Sequence, residues 1–248
     1  MRAIVLADGR WQHQPPGFTP SCLLKVRGRT LLERLLTSVQ YAGIRFATCV
    51  VGCGAEEVVA DIRRFNPRLE IDLAMNPDHE RGGAHSLYAG RAQLCDDIVV
   101  LDTSILFPIP LVKILVEFEY ESAALFDPRE GPATSADVVV VDQRVVPIGS
   151  VPTPLAMECR SVLGVFKFGR RACATLAEFV DANVAIGPGF AYGDAYRRVV
   201  EEHQIAAVSV DDAPWRRIES QTDWSVVTER TSREVVLWEI AHARRAPS

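Results

Sequence analysis

The side chains able to do chemistry sit in short polar breaks that follow apolar runs. Asp8, Gly9, Arg10 and His13 follow Ala3-Ile4-Val5-Leu6-Ala7. Asn76, His79, Arg81, Gly82, Gly83, His85 and Ser86 follow the run 69–75, and Asp102 and Ser104 follow the run 98–101. Glu219 lies near the C-terminus. Carboxylates and imidazoles exchange protons, and carboxylates hold hard cations such as Mg²⁺. Glycines ahead of a helix leave backbone N–H groups free for an anion. The set suits phosphate chemistry or acid–base chemistry. Zinc is disfavoured, because Cys49-x3-Cys53 with His79 or His85 lacks the usual ligand spacing and Cys49 falls inside an apolar run.

These breaks meet only if the apolar runs are strands of one sheet. The pattern predicts strands at 2–7, 46–51, 69–75 and 98–101, with helices over 30–42, 55–65, 85–94 and 110–118. Thr30 and Glu33 form a T-x-x-E capping box ahead of a leucine stripe, and Gly43 ends that helix. Asn66-Pro67 stops the second helix. Further strands are expected at 122–126, 136–141, 144–148, 162–168 and 205–210, with a two-residue turn at Asp142-Gln143. Helices are expected at 170–183, 192–203 and 221–243, the last packing its Val226, Val227, Val235, Val236, Leu237 and Trp238 internally. The alternation predicts a single-domain α/β fold, a mixed, mostly parallel sheet flanked by helices. Ligands of such sheets bind beyond the carboxyl ends of the strands. Segments 8–21, 52–55, 76–86 and 102–107 should therefore line one cleft.

The 248 residues, 48% hydrophobic and 24% charged, allow one large core. Net charge is −5, which disfavours a nucleic-acid surface. No apolar run reaches the length of a membrane span. Six cysteines without a CxxC pair read as buried thiols of a reducing cytoplasm. Lys25, Lys113 and Lys167 are the only lysines, so any role needing an ammonium has three candidates.

In order, the fragments I-V-L-A-D-G-R, P-S-C-L-L-K-V, V-V-G-C-G-A-E-E-V, N-P-D-H-E-R-G-G-A-H-S-L, V-V-L-D-T-S-I-L-F and P-W-R-R-I-E-S-Q-T-D-W resemble the sugar-nucleotide and cytidylyltransferase family, over about residues 2–230. The likeness is strongest to members that activate phosphocholine, inositol phosphate or phosphonates with CTP. It implies a nucleotidyltransferase, glycosyltransferase-A-like fold over 1–248. The nucleotide-binding half would be about 1–120, the acceptor and lid half about 121–220, with the C-terminal helix at 221–243. It implies transfer of an NMP, CMP by this likeness, from an NTP to a phosphate- or phosphonate-bearing small molecule, with Mg²⁺ as the metal. Leu6, Ala7, Gly9, Asn76 and Ser86 would hold the nucleotide. Arg10, His13 and Ser21 take the positions of phosphate-loop and catalytic groups. Asp102, Ser104 and Glu219 take the metal positions, and Arg81, His85 and Ser150 the acceptor side.

Several of these positions depart from the family pattern. The loop Lys is Ser21, the loop Arg is His13, the second loop Gly is Trp11, the metal Asp is Ser104 and the Lys after the hairpin is Ser150. Asp8 sets a negative charge against a polyanion, at a cost of roughly 1–4 kcal/mol at ~4 Å. The substitutions predict transfer that is weakened or lost. Three readings stay open at this stage: a degenerate nucleotidyltransferase acting by binding a ligand or partner, a divergent working cytidylyltransferase, and a cleft turned to other acid–base chemistry.

Overall fold

A computed structural model describes residues 1–9, 19–81, 83–130, 138–151, 159–184 and 190–243. The chain begins with β1 (Arg2–Leu6). A small hairpin, β2 (Lys25–Val26) and β3 (Arg29–Thr30), leads into α1 (Leu31–Tyr41), β4 (Phe46–Val51), α2 (Ala55–Phe65) and β5 (Glu70–Met75). Next come α3 (Gly83–Ala89), β6 (Ile98–Asp102), β7 (Ile105–Leu106), α4 (Leu111–Glu117) and β8 (Ala123–Phe126). The second half holds β9 (Val138–Val141), β10 (Arg144–Pro147), β11 (Arg160–Phe168), α5 (Arg170–Val184), α6 (Tyr192–Glu202), β12 (Ile205–Ser209) and β13 (Arg216–Arg217). A last helical stretch comprises α7 (Gln221–Val226), a π-helical turn at Val227–Thr231 and α8 (Ser232–Ala243).

Nine strands form one mixed sheet in the order β5-β4-β1-β6-β11-β8-β12-β10-β9. The β5-β4-β1-β6 half is parallel, whereas β11 runs antiparallel to both β6 and β8. Helices cover both faces. Along β1, Ala3, Val5 and Ala7 join the core under α1, α2 and α4, while Ile4 and Leu6 join the core under α3, α5 and α6. This alternation is the period-2 pattern of a strand covered on both sides.

Local signals act where the sequence places them. Thr30 Oγ1 accepts from the Glu33 amide and Glu33 Oε2 accepts from the Thr30 amide, each at 3.0 Å, which closes the capping box. Asp142 and Gln143 both adopt positive φ, as a two-residue hairpin turn between β9 and β10 requires. Two expectations shift. The helix expected over 85–94 begins at Gly83, ends at Ala89 and passes through Gly90 into a 3-10 turn at Arg91–Gln93. The continuous helix expected over 221–243 is interrupted by the π turn. Val227 and Val235 are buried with Val26, Leu31, Leu106 and Ile218, whereas Val226 and Leu237 are exposed.

Candidate functional site

The parallel strands end together. Leu6 pairs with both Val50 and Asp102, and Val51 pairs with Met75. The segments after β1, β4, β5 and β6 therefore gather at one edge. Gly52 is what lets them touch. A Cβ there would lie 2.8 Å from His79 Cβ and 3.0 Å from both Asp8 Cβ and the Asn76 carbonyl. The Cys53 amide donates to the Asp8 carbonyl, the Asn76 amide to the Val51 carbonyl, and Thr103 Oγ1 to the Leu6 carbonyl.

Asp8 does not face solvent or an incoming polyanion. It is 1% exposed, and its Oδ2 accepts from Asn76 Nδ2 at 2.5 Å. The same Asn76 nitrogen donates to Ser86 Oγ at 3.5 Å. Burial pushes the Asp8 pKa up, and the nearby Ser86, Asn76 and His79 only partly oppose that rise. The cost expected from its charge thus arises from desolvation rather than from repulsion of phosphate. Asp8 Oδ1 and His79 Nδ1 are buried without a partner among the described residues.

Tyr192, at the start of α6, completes the group, and the sequence offers no sign of it. It stands near Ser86, Asp8 and Asp102. Burial, together with the charges of Asp8 and Asp102, raises its pKa well above the usual phenol value. Its ring lies where a Cβ on Gly83 would come within 2.6 Å. The Ala84 amide, in the first turn of α3, is taken by the Phe190 carbonyl. Asp8, Asn76 and Ser86 thus form one buried polar cluster, with the half-buried Tyr192 from the second half of the molecule beside it.

The other candidates are placed as follows. Leu6 and Ala7 are buried in the sheet. Ser21 is buried at the start of a 3-10 turn, with Oγ donating to the Gly9 carbonyl at 3.4 Å. That turn is seated on Gly54, whose φ is +60° and whose Cβ would lie 2.3 Å from Pro20 Cγ. Arg10, Trp11 and His13 lie outside the described residues. Arg81 is exposed and paired with Asp78 at 3.3 Å. His85 is 2% exposed, and among the described residues neither ring nitrogen has a partner. It lines a 440 Å³ pocket with Asn76, Asp78, Tyr88 and Arg91. Ser150 donates to the Pro147 carbonyl and lines a different, 590 Å³ pocket with Phe179, Asp194 and Arg197. Cys49 is buried within β4, and burial pushes its thiol up to about 12.

A two-stranded pairing of β7 with β13 sets the segment that leads into Glu219 beside Ser104. Arg217 lies opposite Ile105, and the Ile218 amide donates to the Ser104 carbonyl at 2.7 Å. The set does not fit a hard divalent cation. Asp102 Oδ1 already accepts from the Ser104 amide at 2.8 Å, Ser104 contributes a neutral hydroxyl, and Glu219 Oε1 faces the Arg217 guanidinium at 3.6 Å.

A further pocket of 610 Å³ lies near the C-terminal end of β8. On its wall Asp127 is 3% exposed and accepts from Trp215 Nε1 at 2.7 Å and from two Arg129 nitrogens. Burial alone would raise the Asp127 pKa, but the Arg129 and Trp215 bonds outweigh it and hold the group below the usual carboxylate value.

No protein-family model matches the chain. A stretch of 150 residues, 57% of the chain, is 37% identical to the bifunctional protein GlmU of Xanthobacter autotrophicus and spans 33% of that protein. Across 99% of its length the chain is 26% identical to the bifunctional IPC transferase and DIPP synthase of Rubrobacter xylanophilus, of which it spans 54%. The chain thus spans a third to about half of these curated relatives. The inositol-1-phosphate CTP transferase of T. maritima has the same fold, with a TM-score of 0.70 at 20% identity, covering 94% of this chain and 95% of that one. The likeness to the sugar-nucleotide and cytidylyltransferase family read from the motifs holds in sequence and in fold, and the chain is a relative of the NTP transferases.

Proposed function

We propose that this chain keeps the frame of a nucleotidyltransferase but that NMP transfer from an NTP to a phosphorylated or phosphonylated small molecule is weakened or lost. It would act by binding such a ligand, or a partner protein, as a single-domain protein of the cytoplasm. The observation that carries this reading is the Asp8 carboxyl bound to Asn76, whose amide nitrogen also donates to Ser86. Those are the two side chains that the family resemblance assigns to the nucleotide, and here they are engaged within the protein. A hydrogen bond to a charged group contributes about 1.5–3 kcal/mol, so a nucleotide must displace an interaction of that size before it gains either side chain. Ser21, Ser104 and Ser150 add no charge with which to hold a triphosphate.

A working cytidylyltransferase is the second reading, favoured by the alignment with the IPC transferase over nearly the whole chain. One experiment separates the two. The purified protein is incubated with each NTP and with Mg²⁺ or Mn²⁺, in the presence of phosphocholine, inositol phosphate or sugar phosphates. Nucleotide binding is followed by calorimetry and transfer by pyrophosphate release. Absent or millimolar binding without pyrophosphate supports the proposal. Metal-dependent micromolar CTP binding with pyrophosphate release overturns it.

A further inference from the structure

The two ends of the large sheet differ. At one end β9 pairs with both β10 and β11, so the sheet closes on itself there. At the other end β5 pairs with β4, and among the described residues no strand lies on its outer side. The pairing with β4 runs from Glu70 to Met75 without a register shift, and the strand holds no proline and no lysine. Bulges, prolines and lysines are the usual means of blunting a free edge. Its two carboxylates are balanced within the chain, Asp72 by Arg2 at 3.8 Å and Glu70 by Arg45 at 3.7 Å. Leu73 is 45% exposed and Met75 61%, and they share one face of the strand with the partly buried Ile71.

The backbone restricts how a further strand can join. The Glu70 amide donates to the Arg45 carbonyl and the Asn76 amide to the Val51 carbonyl. Residues that bond to one neighbour alternate along a strand, so Glu70, Asp72, Ala74 and Asn76 turn their backbone groups toward β4. Ile71, Leu73 and Met75 turn theirs outward. We propose that β5 is a self-complementary edge, which pairs antiparallel with β5 of a second copy about a two-fold axis at Leu73. In that register Leu73 faces Leu73 of the second copy, Ile71 faces Met75, Asp72 faces Ala74 and Glu70 faces Asn76. Outward backbone groups meet outward groups, no two carboxylates meet, and the exposed Leu73 and Met75 of both copies are covered together. The neighbouring registers are worse. A shift one way sets Asp72 directly against Asp72 of the second copy, and like charges so placed are destabilising. A shift the other way sets Ile71 against Pro77, which has no N–H to give. The pairing consumes the free edge of each copy, so assembly stops at two. The inference holds whether or not NMP transfer survives.

The test is analytical ultracentrifugation of the full chain over a range of concentrations. The wild type should be dimeric at about 100 μM and dissociate on dilution. L73K and L73E each set two like charges on the axis and should raise the dissociation constant by roughly tenfold or more. An equimolar mixture of L73K and L73E should recover the dimer, because the two-fold sets position 73 against itself. Circular-dichroism melts would show that each variant is folded. Amide hydrogen exchange at Ile71, Leu73 and Met75 should be slow in concentrated wild type and fast in L73K. A wild type that stays monomeric at that concentration would overturn the proposal. So would a dimer that L73K leaves intact, or a mixture of the two variants that stays monomeric.

Discussion

Asn76 donates to Asp8 across 68 residues of sequence, at 2.5 Å, and both side chains are almost completely buried. The bond joins the end of β1 to the segment after β5. It occupies a side chain with an expected role in holding a nucleotide. Removing the carboxyl should release that side chain. Asp8→Ala is expected to strengthen CTP binding by about 10- to 100-fold, the equivalent of the 1.5–3 kcal/mol that a hydrogen bond to a charged group contributes. Calorimetry on the two proteins at one salt concentration checks it. Equal affinities would mean that Asn76 and Ser86 do not contact the nucleotide.

The same burial makes a prediction about pH. The folded-state pKa of Asp8 is raised, so the folded protein holds this proton more tightly than the unfolded chain does. The associated stability is fully present below the unfolded value of about 3.9 and is lost as pH rises through the folded value. Once ionised, the carboxylate, with Oδ1 unpartnered among the described residues, is a net liability. Asp8→Asn keeps the shape and an acceptor for Asn76 while removing the charge. It should stabilise the protein near pH 7 by on the order of 1–3 kcal/mol, and the difference should vanish near pH 4. Thermal melts of both proteins across this range would show the two curves converging on acidification.

Asp127 runs the other way. The Arg129 and Trp215 bonds hold its pKa down despite burial, so its contribution is present above the unfolded value of about 3.9 and is lost as pH falls through the folded value. Asp127→Ala leaves the buried Trp215 Nε1 without its acceptor and removes the partner of Arg129. A loss of about 1–3 kcal/mol near neutral pH is expected, which for a chain of this size lowers Tm by roughly 2–4 °C per kcal/mol. Trp215→Phe, which keeps most of the apolar ring but not the donor, should cost less than Asp127→Ala. The reverse order would place the energy in the packing of the indole rather than in the bond.

What the sequence made legible was local. The capping box at Thr30 and Glu33, the strand at 46–51 and the helix at 55–65 rest on neighbours within a few residues, and the structure has them at those positions. The convergence of the segments after β1, β4, β5 and β6 follows from parallel topology alone. The direction of Asp8 was not legible, because Asn76 and Ser86, which decide it, come from another turn of the sheet. Tyr192 was invisible for the same reason: a tyrosine opening a helix shows no sign of the glycine 109 positions earlier against which its ring packs. Arg217 carried no expectation, and only the pairing of β13 with β7 sets it opposite Ile105 with its guanidinium 3.6 Å from Glu219.

The seat of the Ser21 turn supplies a last prediction. Gly54 has a φ of +60°, and the Cβ it lacks would lie 2.3 Å from Pro20 Cγ and 3.1 Å from Pro20 Cδ. A proline ring cannot swing aside as a flexible chain end can, so a side chain at 54 must displace the backbone around Pro20 and Ser21. The left-handed conformation adds its own cost to any residue with a Cβ. Gly54→Ala should therefore destabilise by about 1–3 kcal/mol, whereas Gly28→Ala, with a positive φ but open space around its Cβ position, should show only the conformational part. The difference between the two variants, read from denaturant midpoints, isolates the contact with Pro20. If that contact sets the loop, Gly54→Ala should also alter the protease sensitivity of the segment around Pro20 while Gly28→Ala leaves it unchanged. Equal losses in both variants would show that Pro20 gives way freely and that the Ser21 turn is held by its own hydrogen bonds instead.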